Sequence, residues 1–236
     1  MLYNDYIKKF IMSRPTIAEG FANAQKCVGK KVVEVLGDID TKNKGQVGSK
    51  FENHLGIPTT SERCDYPDPG DCKTLKFKNG KPNECCDIIM LQEILHEAMN
   101  NVSFRESSVY EKIQRVHFAP INRDGEVEEW TFGETFIISD YDEKWNSIYE
   151  QMEKDYNHIT ERIRTLVNSG GYIRARDVNQ GSTVKIIEIR PKGQGGGKSK
   201  NTWNGRTITK STAKSAYSYY FKHTGVKTIW NHYQSL

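Results

Sequence analysis

Two carboxylates and a lysine stand close together in the first third of the chain, in the order Asp65, Asp71 and Lys73. Residues two apart on a β-strand point to the same face, so a strand through Asp71 would place Lys73 beside it. The turn signal from Pro67 to Gly70 can bring Asp65 alongside. Two carboxylates suit Mg²⁺, which prefers oxygen ligands and keeps several waters. The pattern therefore predicts metal-assisted attack of water on a phosphodiester, with Lys73 orienting or deprotonating that water or neutralising the phosphate.

Asp68 is a competing first carboxylate, because Pro67-Asp68 precedes Asp71 in the literal order P-D-x2-D-x-K. That spacing is tight for two strands that meet at one metal. We therefore prefer Asp65 as the first metal ligand.

A glycine-containing helix precedes these residues. The segment from Lys44 to Leu55, KGQVGSKFENHL, places Gly45 and Gly48 at the start of a helix and Glu52 one turn further on. Glycines at such a position let a backbone approach a neighbour or a phosphate closely. Glu52 can then point toward the carboxylates, although it also fits a surface position on an amphipathic helix. The buried face of this helix is predicted to contain Val47, Phe51 and Leu55, and Gly56 and Pro58 are predicted to end it.

The remaining elements follow from apolar spacing and turn residues. We predict helices at about Thr16 to Leu36, from a cap at Asp87 through Ala98, and from Asp140 to Val167. We predict two short strands around a turn within Cys64 to Phe77, and further strands at Arg115 to Ile121, Trp130 to Ile138, Val184 to Ile189 and Tyr217 to Phe221. This mixed order predicts an α/β fold with a mixed central sheet flanked by helices. We expect one domain over residues 1–236, with room for two lobes at about 1–105 and 106–236.

The helix from Asp140 to Val167 has the clearest periodicity. Its apolar stripe is Trp145, Ile148, Met152, Tyr156, Ile159, Ile163 and Leu166. Such a stripe is most simply core packing. A coiled-coil partner is the less favoured alternative, because the run is short for a coiled coil.

The charge of the chain is concentrated at its end. The formal net charge is +4. From Gly181 onward, ten Lys and Arg stand against the single acid Glu188, a net +9, which leaves −5 for the first 180 residues. A basic face beside an acidic remainder suits a polyanion such as nucleic acid, although a Lys-rich soluble surface would look similar.

The cysteines and the hydropathy of the chain argue against a disulfide-stabilised, a membrane-spanning or a secreted protein. The five cysteines include an adjacent pair, a poor disulfide framework. Cys64, Cys72, Cys85 and Cys86 lack the paired spacing of structural zinc sites, but a zinc-stabilised interaction protein stays an alternative. No apolar run approaches a membrane span, and the start of the chain has no secretory pattern. We therefore expect a cytoplasmic protein.

The ordered set of motifs resembles the MutH family of mismatch-repair and restriction endonucleases, within the PD-(D/E)xK nuclease superfamily. The pattern K-G-x-x-G-x-x-x-E, followed by D-x5-D-x-K, is similar to the family's first motifs. The segment from Ser108 to Val116 resembles its middle element. Glu188 to Lys192 resembles its I-R-P-K strand end, and Ser218 to Lys222 its late aromatic strand. The match runs from about Lys44 to Lys222.

The resemblance implies a restriction-endonuclease-like core and a role for each matched residue. Asp65 and Asp71 would hold Mg²⁺, Lys73 would serve the nucleophile, and Glu52 would support the site as a further catalytic residue. Lys44 would touch the DNA near the cleavage site. Arg190 and the loop after it would read bases, and Tyr220 would lie near the adenine or its methyl group. Apart from the resemblance, the basic half of the chain offers further candidate DNA-binding lysines at Lys192, Lys198, Lys200, Lys210 and Lys214.

Two departures from the family pattern are visible. Asp71 stands where the family usually has Glu, and the spacing after Asp65 is one residue shorter. The family's middle element carries a lysine whose position falls near Gln114 in this sequence. Its role is therefore not assigned to Gln114, and Lys112 is a candidate substitute.

These observations predict a Mg²⁺-dependent enzyme that cuts double-stranded DNA, either a type II restriction enzyme or a nicking enzyme. A GATC-type site is the one that the resemblance suggests, while the recognition sequence itself stays open. We expect a monomer or weak homodimer. A non-catalytic DNA-binding module is the other alternative.

Overall fold

The computed structural model describes residues 14–43, 45–59, 61–181, 184–192, 201–209 and 216–236. The chain divides into two compact units. The first comprises Met1–Glu84 and Lys112–Tyr141, and the second comprises Cys85–Glu111 and Asp142–Leu236. Each unit is therefore assembled from two separate stretches of chain.

Groups of helices and groups of strands follow one another along the described residues. The helices are α1 (Ile17–Gln25), α2 (Val32–Leu36), α3 (Gln46–His54), α4 (Leu91–Met99), α5 (Ser108–Ile113), α6 (Asn146–Asn168), α7 (Ala175–Val178) and α8 (His223–Tyr233). The strands are β1 (Asp71–Lys78), β2 (Lys81–Pro82), β3 (Cys86–Met90), β4 (Arg115–Asn122), β5 (Thr131–Phe132), β6 (Phe136–Ser139), β7 (Ile187–Pro191), β8 (Thr202–Trp203), β9 (Arg206–Thr207) and β10 (Tyr217–Phe221). Short 3₁₀ turns lie at Phe104–Glu106, Val127–Glu129 and Glu143–Trp145.

A mixed five-stranded sheet forms the centre of the first unit. Its order is β2-β1-β4-β5, and β6 also pairs with β4. The pair β1 and β4 is parallel over a register from Asp71↔Val116 to Phe77↔Asn122, while the other pairs are antiparallel. Helices α1 and α3 pack beside this sheet, and their apolar residues join one core that includes Val47, Phe51 and Leu55. The predicted α/β fold with a mixed central sheet and flanking helices is confirmed, and so is the buried face of α3.

The N-terminal helix is shorter than predicted. Thr16 caps α1 through a capping box with Glu19, as its sequence favours. The helix predicted to reach Leu36 is nevertheless broken into α1 and α2, with Gly29 at φ +78° between them. The backbone there pairs with β5 instead, because Gly29 N–H donates to Phe132 O and Phe132 N–H donates to Lys30 O. The prediction of one continuous helix is wrong.

A single strand replaces the hairpin predicted between Cys64 and Phe77. Only β1, from Asp71 onward, is a strand, and the residues before it form bends. Pro67 and Pro69 have no N–H to donate to a strand ladder. Tyr66 N–H instead donates to Gly70 O at 3.2 Å and closes the segment into a loop.

The second unit is built on an antiparallel three-stranded sheet of order β3-β10-β7. The long helix α6 begins at Asn146 after a 3₁₀ turn, later than predicted. Its stripe is buried within the chain, and only Leu166 of the predicted set is half-buried. The stripe is therefore core packing, as predicted.

Three other boundaries differ from the sequence prediction. Asp87 lies inside β3 and pairs with Tyr220, so it does not cap a helix, and α4 begins at Leu91 after Met90. The strand predicted from Trp130 to Ile138 is divided into β5 and β6, because Gly133 N–H donates to Pro120 O between them. The strand predicted from Val184 begins at Ile187. Across the described residues, no helix is long and apolar enough to cross a membrane.

Candidate active site

Asp71 is the first residue of β1 and is completely buried. Gly70 directly before it is packed tightly, since a Cβ added there would lie 3.0 Å from Arg115 O. A glycine at this point therefore lets the loop enter the sheet beside β4. The predicted pairing of Asp71 and Lys73 on one strand is thus realised in β1.

Two hydrogen bonds tie Asp65 to the start of β1, one to the Asp71 carboxylate and one from the Cys72 backbone. Asp65 N–H donates to Asp71 Oδ1 at 3.3 Å, and Cys72 N–H donates to Asp65 Oδ2 at 2.8 Å. The loop after Asp65 thus folds back so that its first residue lies next to the start of β1. The two carboxylates are brought together by the loop rather than by a second strand.

Two lysines face the Asp71 carboxylate. Lys73 Nζ lies 2.8 Å and Lys112 Nζ 3.1 Å from Asp71 Oδ2. Lys112, in the last turn of α5, also donates to Arg63 O at 2.7 Å. Both ammonium groups compensate the charge of Oδ2, yet this buried oxygen accepts no well-directed hydrogen bond from the described residues. Lys112, the candidate substitute for the lysine of the family's middle element, thus lies beside Asp71.

Burial and a neighbouring negative charge both raise the pKa of Asp65. Desolvation raises the pKa of Asp65, the neighbouring Asp71 carboxylate raises it further, and Lys73 lowers it. Two carboxylates in one desolvated position repel each other. A cation bound between them would relieve that repulsion.

Glu52 belongs to the same electrostatic cluster. It is half-buried on α3, and burial and then the charge of Asp65 raise its pKa, while Lys73 lowers it. The start of α3 lies close to β1, since a Cβ on Gly48 would lie 3.5 Å from Thr74 Oγ1. The helix that was predicted to carry Glu52 thus brings it near the two aspartates.

Asp68 has other partners. Its Oδ1 accepts from Ile17 N–H at 3.1 Å, at the start of α1. Its Oδ2 pairs with Arg115 Nη1 at 2.9 Å. A carboxylate near a helix N-terminus and an arginine is well compensated, so both oxygens of Asp68 already have partners.

The donor set fits a hard divalent cation bound by the two aspartates. Asp71 offers a buried carboxylate oxygen that contacts the ammonium groups of Lys73 and Lys112, and Asp65 lies beside it. Mg²⁺ is commonly held by one or two carboxylates, with waters and phosphate oxygens completing its shell. In the described part of the chain, no group of three or more His, Cys, Asp and Glu side chains is arranged to hold a metal. Phosphate or water would therefore supply the remaining ligands.

The predicted base-reading residues lie on the sheet of the second unit. Arg190 on β7 is exposed, and its Nη1 lies 2.8 Å from Cys85 Sγ and 3.8 Å from Glu188 Oε1. Its guanidinium also lies 6.0 Å from the ring centroid of Tyr220. The salt bridge to Glu188 is the structural role that competes with base reading.

Lys192 and Tyr220 complete this group. Lys192 Nζ pairs with Asp87 Oδ2 at 2.7 Å. Burial and the charges of Asp87 and Cys85 raise the pKa of Tyr220 to about 12, so its hydroxyl stays protonated. The predicted DNA contacts Lys44, Lys198, Lys200, Lys210 and Lys214 lie outside the described residues.

The cysteines are free thiols. Cys27, Cys72 and Cys86 are buried, and Cys64 and Cys85 are half-buried. Burial raises the pKa of the Cys72 thiol, which disfavours the thiolate that binds zinc.

One group near the site was not predicted from the sequence. His117 on β4 is buried and contacts Tyr66, the residue after Asp65. No spacing rule connects residues 51 positions apart, and only the parallel pairing of β1 with β4 brings them together.

Comparison of the chain with models of known protein families and with characterised proteins finds no match. The motifs and the site geometry are therefore the grounds on which a function can be argued.

Proposed function

We propose that this protein is a Mg²⁺-dependent endonuclease that hydrolyses phosphodiester bonds in double-stranded DNA, with a MutH-like, restriction-endonuclease-like core. The observation that carries the proposal is the cluster at the start of β1. Asp65 and Asp71 lie together there, and Lys73 and Lys112 both face Asp71. Paired carboxylates beside lysines are the donor set needed to bind a metal and a phosphate in the same place.

The side chains divide the chemistry among them. Asp65 and Asp71 would hold Mg²⁺, which when bound supplies a Lewis acid and lowers the pKa of a coordinated water. Lys73 would orient or deprotonate the attacking water, and Lys112 would balance the negative charge that builds on the phosphate. Glu52 would support the site from α3 as an additional carboxylate.

Contacts to DNA would come from the basic C-terminal region. Arg190 is the candidate base reader, because an arginine fork is the commonest specific partner of guanine. Binding DNA would require Arg190 to exchange its contacts with Glu188 and Cys85 for a base edge. Lys192 and the lysines at positions 44, 198, 200, 210 and 214 would hold phosphates, and Tyr220 would lie near the adenine. A cytoplasmic monomer or weak homodimer fits this function.

The test is cleavage of methylated and unmethylated plasmid DNA with Mg²⁺, followed by sequencing of the ends. Asp71→Asn should abolish cleavage while leaving DNA binding intact or tighter, because a repulsive carboxylate is removed. Asp38→Asn is the matched control, since Asp38 is an exposed aspartate. The proposal is wrong if the wild-type protein leaves every DNA intact, or if Asp71→Asn cuts at the wild-type rate.

A further inference from the structure

Tyr66 ties the loop that carries Asp65 to the central sheet of the first unit. Its side chain is 1% exposed. Its hydroxyl lies 2.8 Å from His117 Nδ1 on β4, and its backbone N–H donates to Gly70 O. Because Tyr66 directly follows Asp65, the position of the ring constrains the position of that carboxylate.

Hydrogen bonds link the Tyr66 hydroxyl through His117 and Thr135 to the Phe118 carbonyl, and the available protons fix the direction of each one. Thr135 Oγ1 lies 2.6 Å from His117 Nε2, and its single proton is donated to Phe118 O at 2.8 Å. Thr135 can then only accept from His117, so the imidazole proton is on Nε2. His117 Nδ1 consequently accepts from the Tyr66 hydroxyl. Burial lowers the pKa of His117 to about 4, in agreement with a neutral ring.

The chain of hydrogen bonds ends on the backbone of β4, the strand parallel to β1. His117 is the register partner of Cys72, which lies between Asp71 and Lys73. Cys72 N–H in turn donates to Asp65 Oδ2. The loop is thus held at the sheet by its carboxylate and by the neighbouring tyrosine.

Helix α1 fixes the ring from the other side. A Cβ on Gly20 would lie 2.6 Å from both Tyr66 Cε1 and Tyr66 Oη. Phe21 lies edge-on to the His117 ring at 5.6 Å between centroids. Only a glycine at position 20 therefore lets α1 pack against Tyr66 where it is.

We propose that Tyr66 and His117 are positioning residues that set the separation of the Asp65 and Asp71 carboxylates for Mg²⁺. This inference rests on the proposed function, because it assigns the two residues to that metal site. Neither side chain is required to touch the metal or the DNA. Their effect passes through the backbone from Tyr66 to Asp65.

The first test is Tyr66→Phe, which keeps the ring and removes the hydroxyl. Mg²⁺ binding to the DNA-free protein should be measured by titration calorimetry, together with the Mg²⁺ dependence of cleavage. We expect Mg²⁺ affinity to fall by about 10-fold to 100-fold, as for other residues that orient metal ligands. Cleavage should recover at high Mg²⁺, which simple loss of folded protein would not allow. Tyr141→Phe is the control, since it removes the hydroxyl of an exposed tyrosine, which donates to Gln114 in the same unit.

A second test uses Gly20→Ala, which adds one methyl group remote in sequence from the carboxylates. Alanine is the better helix former, yet the added Cβ would displace the Tyr66 ring. We expect Gly20→Ala to weaken Mg²⁺ binding, as Tyr66→Phe does.

A third test measures the ¹⁵N chemical shifts of the His117 ring in the wild-type protein. They should show a neutral ring protonated at Nε2.

The outcomes separate this inference from the proposed function. A wild-type protein that neither binds Mg²⁺ nor cleaves DNA would refute both. A wild-type protein that does so, with unchanged Mg²⁺ affinity in Tyr66→Phe, would refute the positioning role alone. A His117 ring protonated at Nδ1 would refute the hydrogen-bond chain itself.

Discussion

At the scale of single residues, the Asp65 and Asp71 carboxylates repel each other at the start of β1. Asp65 lies beside the buried Asp71 carboxylate, and burial followed by this neighbour raises the pKa of Asp65. A carboxyl group whose pKa is raised in the folded state binds protons more tightly than it does in the unfolded chain. Its ionisation therefore destabilises the folded protein as the pH rises.

We predict that Asp65→Asn stabilises the metal-free protein at neutral pH. The amide oxygen can still accept from Cys72 N–H, while the repelling charge is gone. The free energy of unfolding, measured in chelator by urea titration, should rise by about 0.5–2 kcal/mol, the usual range for a stabilising substitution.

The pH dependence supplies the control for this prediction. As the pH falls through the raised pKa of Asp65, the wild-type carboxyl becomes neutral, so its difference from Asp65→Asn should shrink. Mg²⁺ should stabilise the wild-type protein and have little effect on the variant. A variant less stable than the wild type at every pH would show that repulsion is not the dominant effect.

Lys112 is expected to serve the reaction as well as the ion pair. We predict that Lys112→Gln slows cleavage roughly 100-fold, the order of magnitude for losing one group that stabilises developing charge. The measurement is a single-turnover rate at saturating Mg²⁺. Lys78→Gln, an exposed lysine at the end of β1, controls for the general loss of positive charge.

At the scale of elements, the start of β7 depends on one aspartate of α6. Asp155 is fully buried and accepts from the N–H groups of Lys185, Ile186 and Ile187 at 3.0, 2.6 and 2.9 Å. These contacts also explain why β7 begins later than its apolar pattern suggests, because the backbone before it bonds to a side chain instead of a strand.

We predict that Asp155→Ala destabilises the protein by about 3 kcal/mol or more, since each buried N–H left unpaired costs about 1–3 kcal/mol. Thermal or urea unfolding would measure this loss. Glu150→Ala on the exposed side of the same helix should change the free energy of unfolding little. An Asp155→Ala protein as stable as the wild type would mean that water replaces the carboxylate.

Local sequence predicted the elements whose periodicity is strong and missed those decided by distant partners. The stripe of α6 and the face of α3 follow directly from their spacing. The break after α1 arises from pairing with β5, about one hundred residues further along the chain. Likewise Asp71 and Lys73 were predictable from their alternation on a strand, whereas Tyr66 and His117 meet only because β1 and β4 are parallel.

At the scale of the whole molecule, the uneven charge should govern association with DNA. The last 56 residues carry a net +9 and the preceding 180 carry −5. Binding through this region should release counterions, and about five phosphate contacts would give a slope of about −4 to −5 in log K against log salt.

We predict that Lys210→Ala weakens binding to all DNA sequences about equally and makes this slope shallower by about 1. Fluorescence anisotropy at several salt concentrations would measure it in the absence of Mg²⁺. Lys144→Ala, which removes a lysine from the acidic part of the chain, should leave the slope unchanged. A flat salt dependence of the wild-type protein would rule out an electrostatic footprint.

The first unit consists of two separate stretches of chain, so the ribosome cannot complete it until the second stretch has been synthesised. Residues up to Glu84 supply Asp65, Asp71 and Lys73, but β4, His117 and Lys112 follow only after the 27 residues Cys85–Glu111 of the second unit. A nascent chain that ends at Glu84 has β1 without its parallel neighbour and Asp71 without Lys112. The sheet and the second lysine around the acidic pair can therefore be completed only after translation has passed through part of the other unit, when about half of the 236 residues have been synthesised.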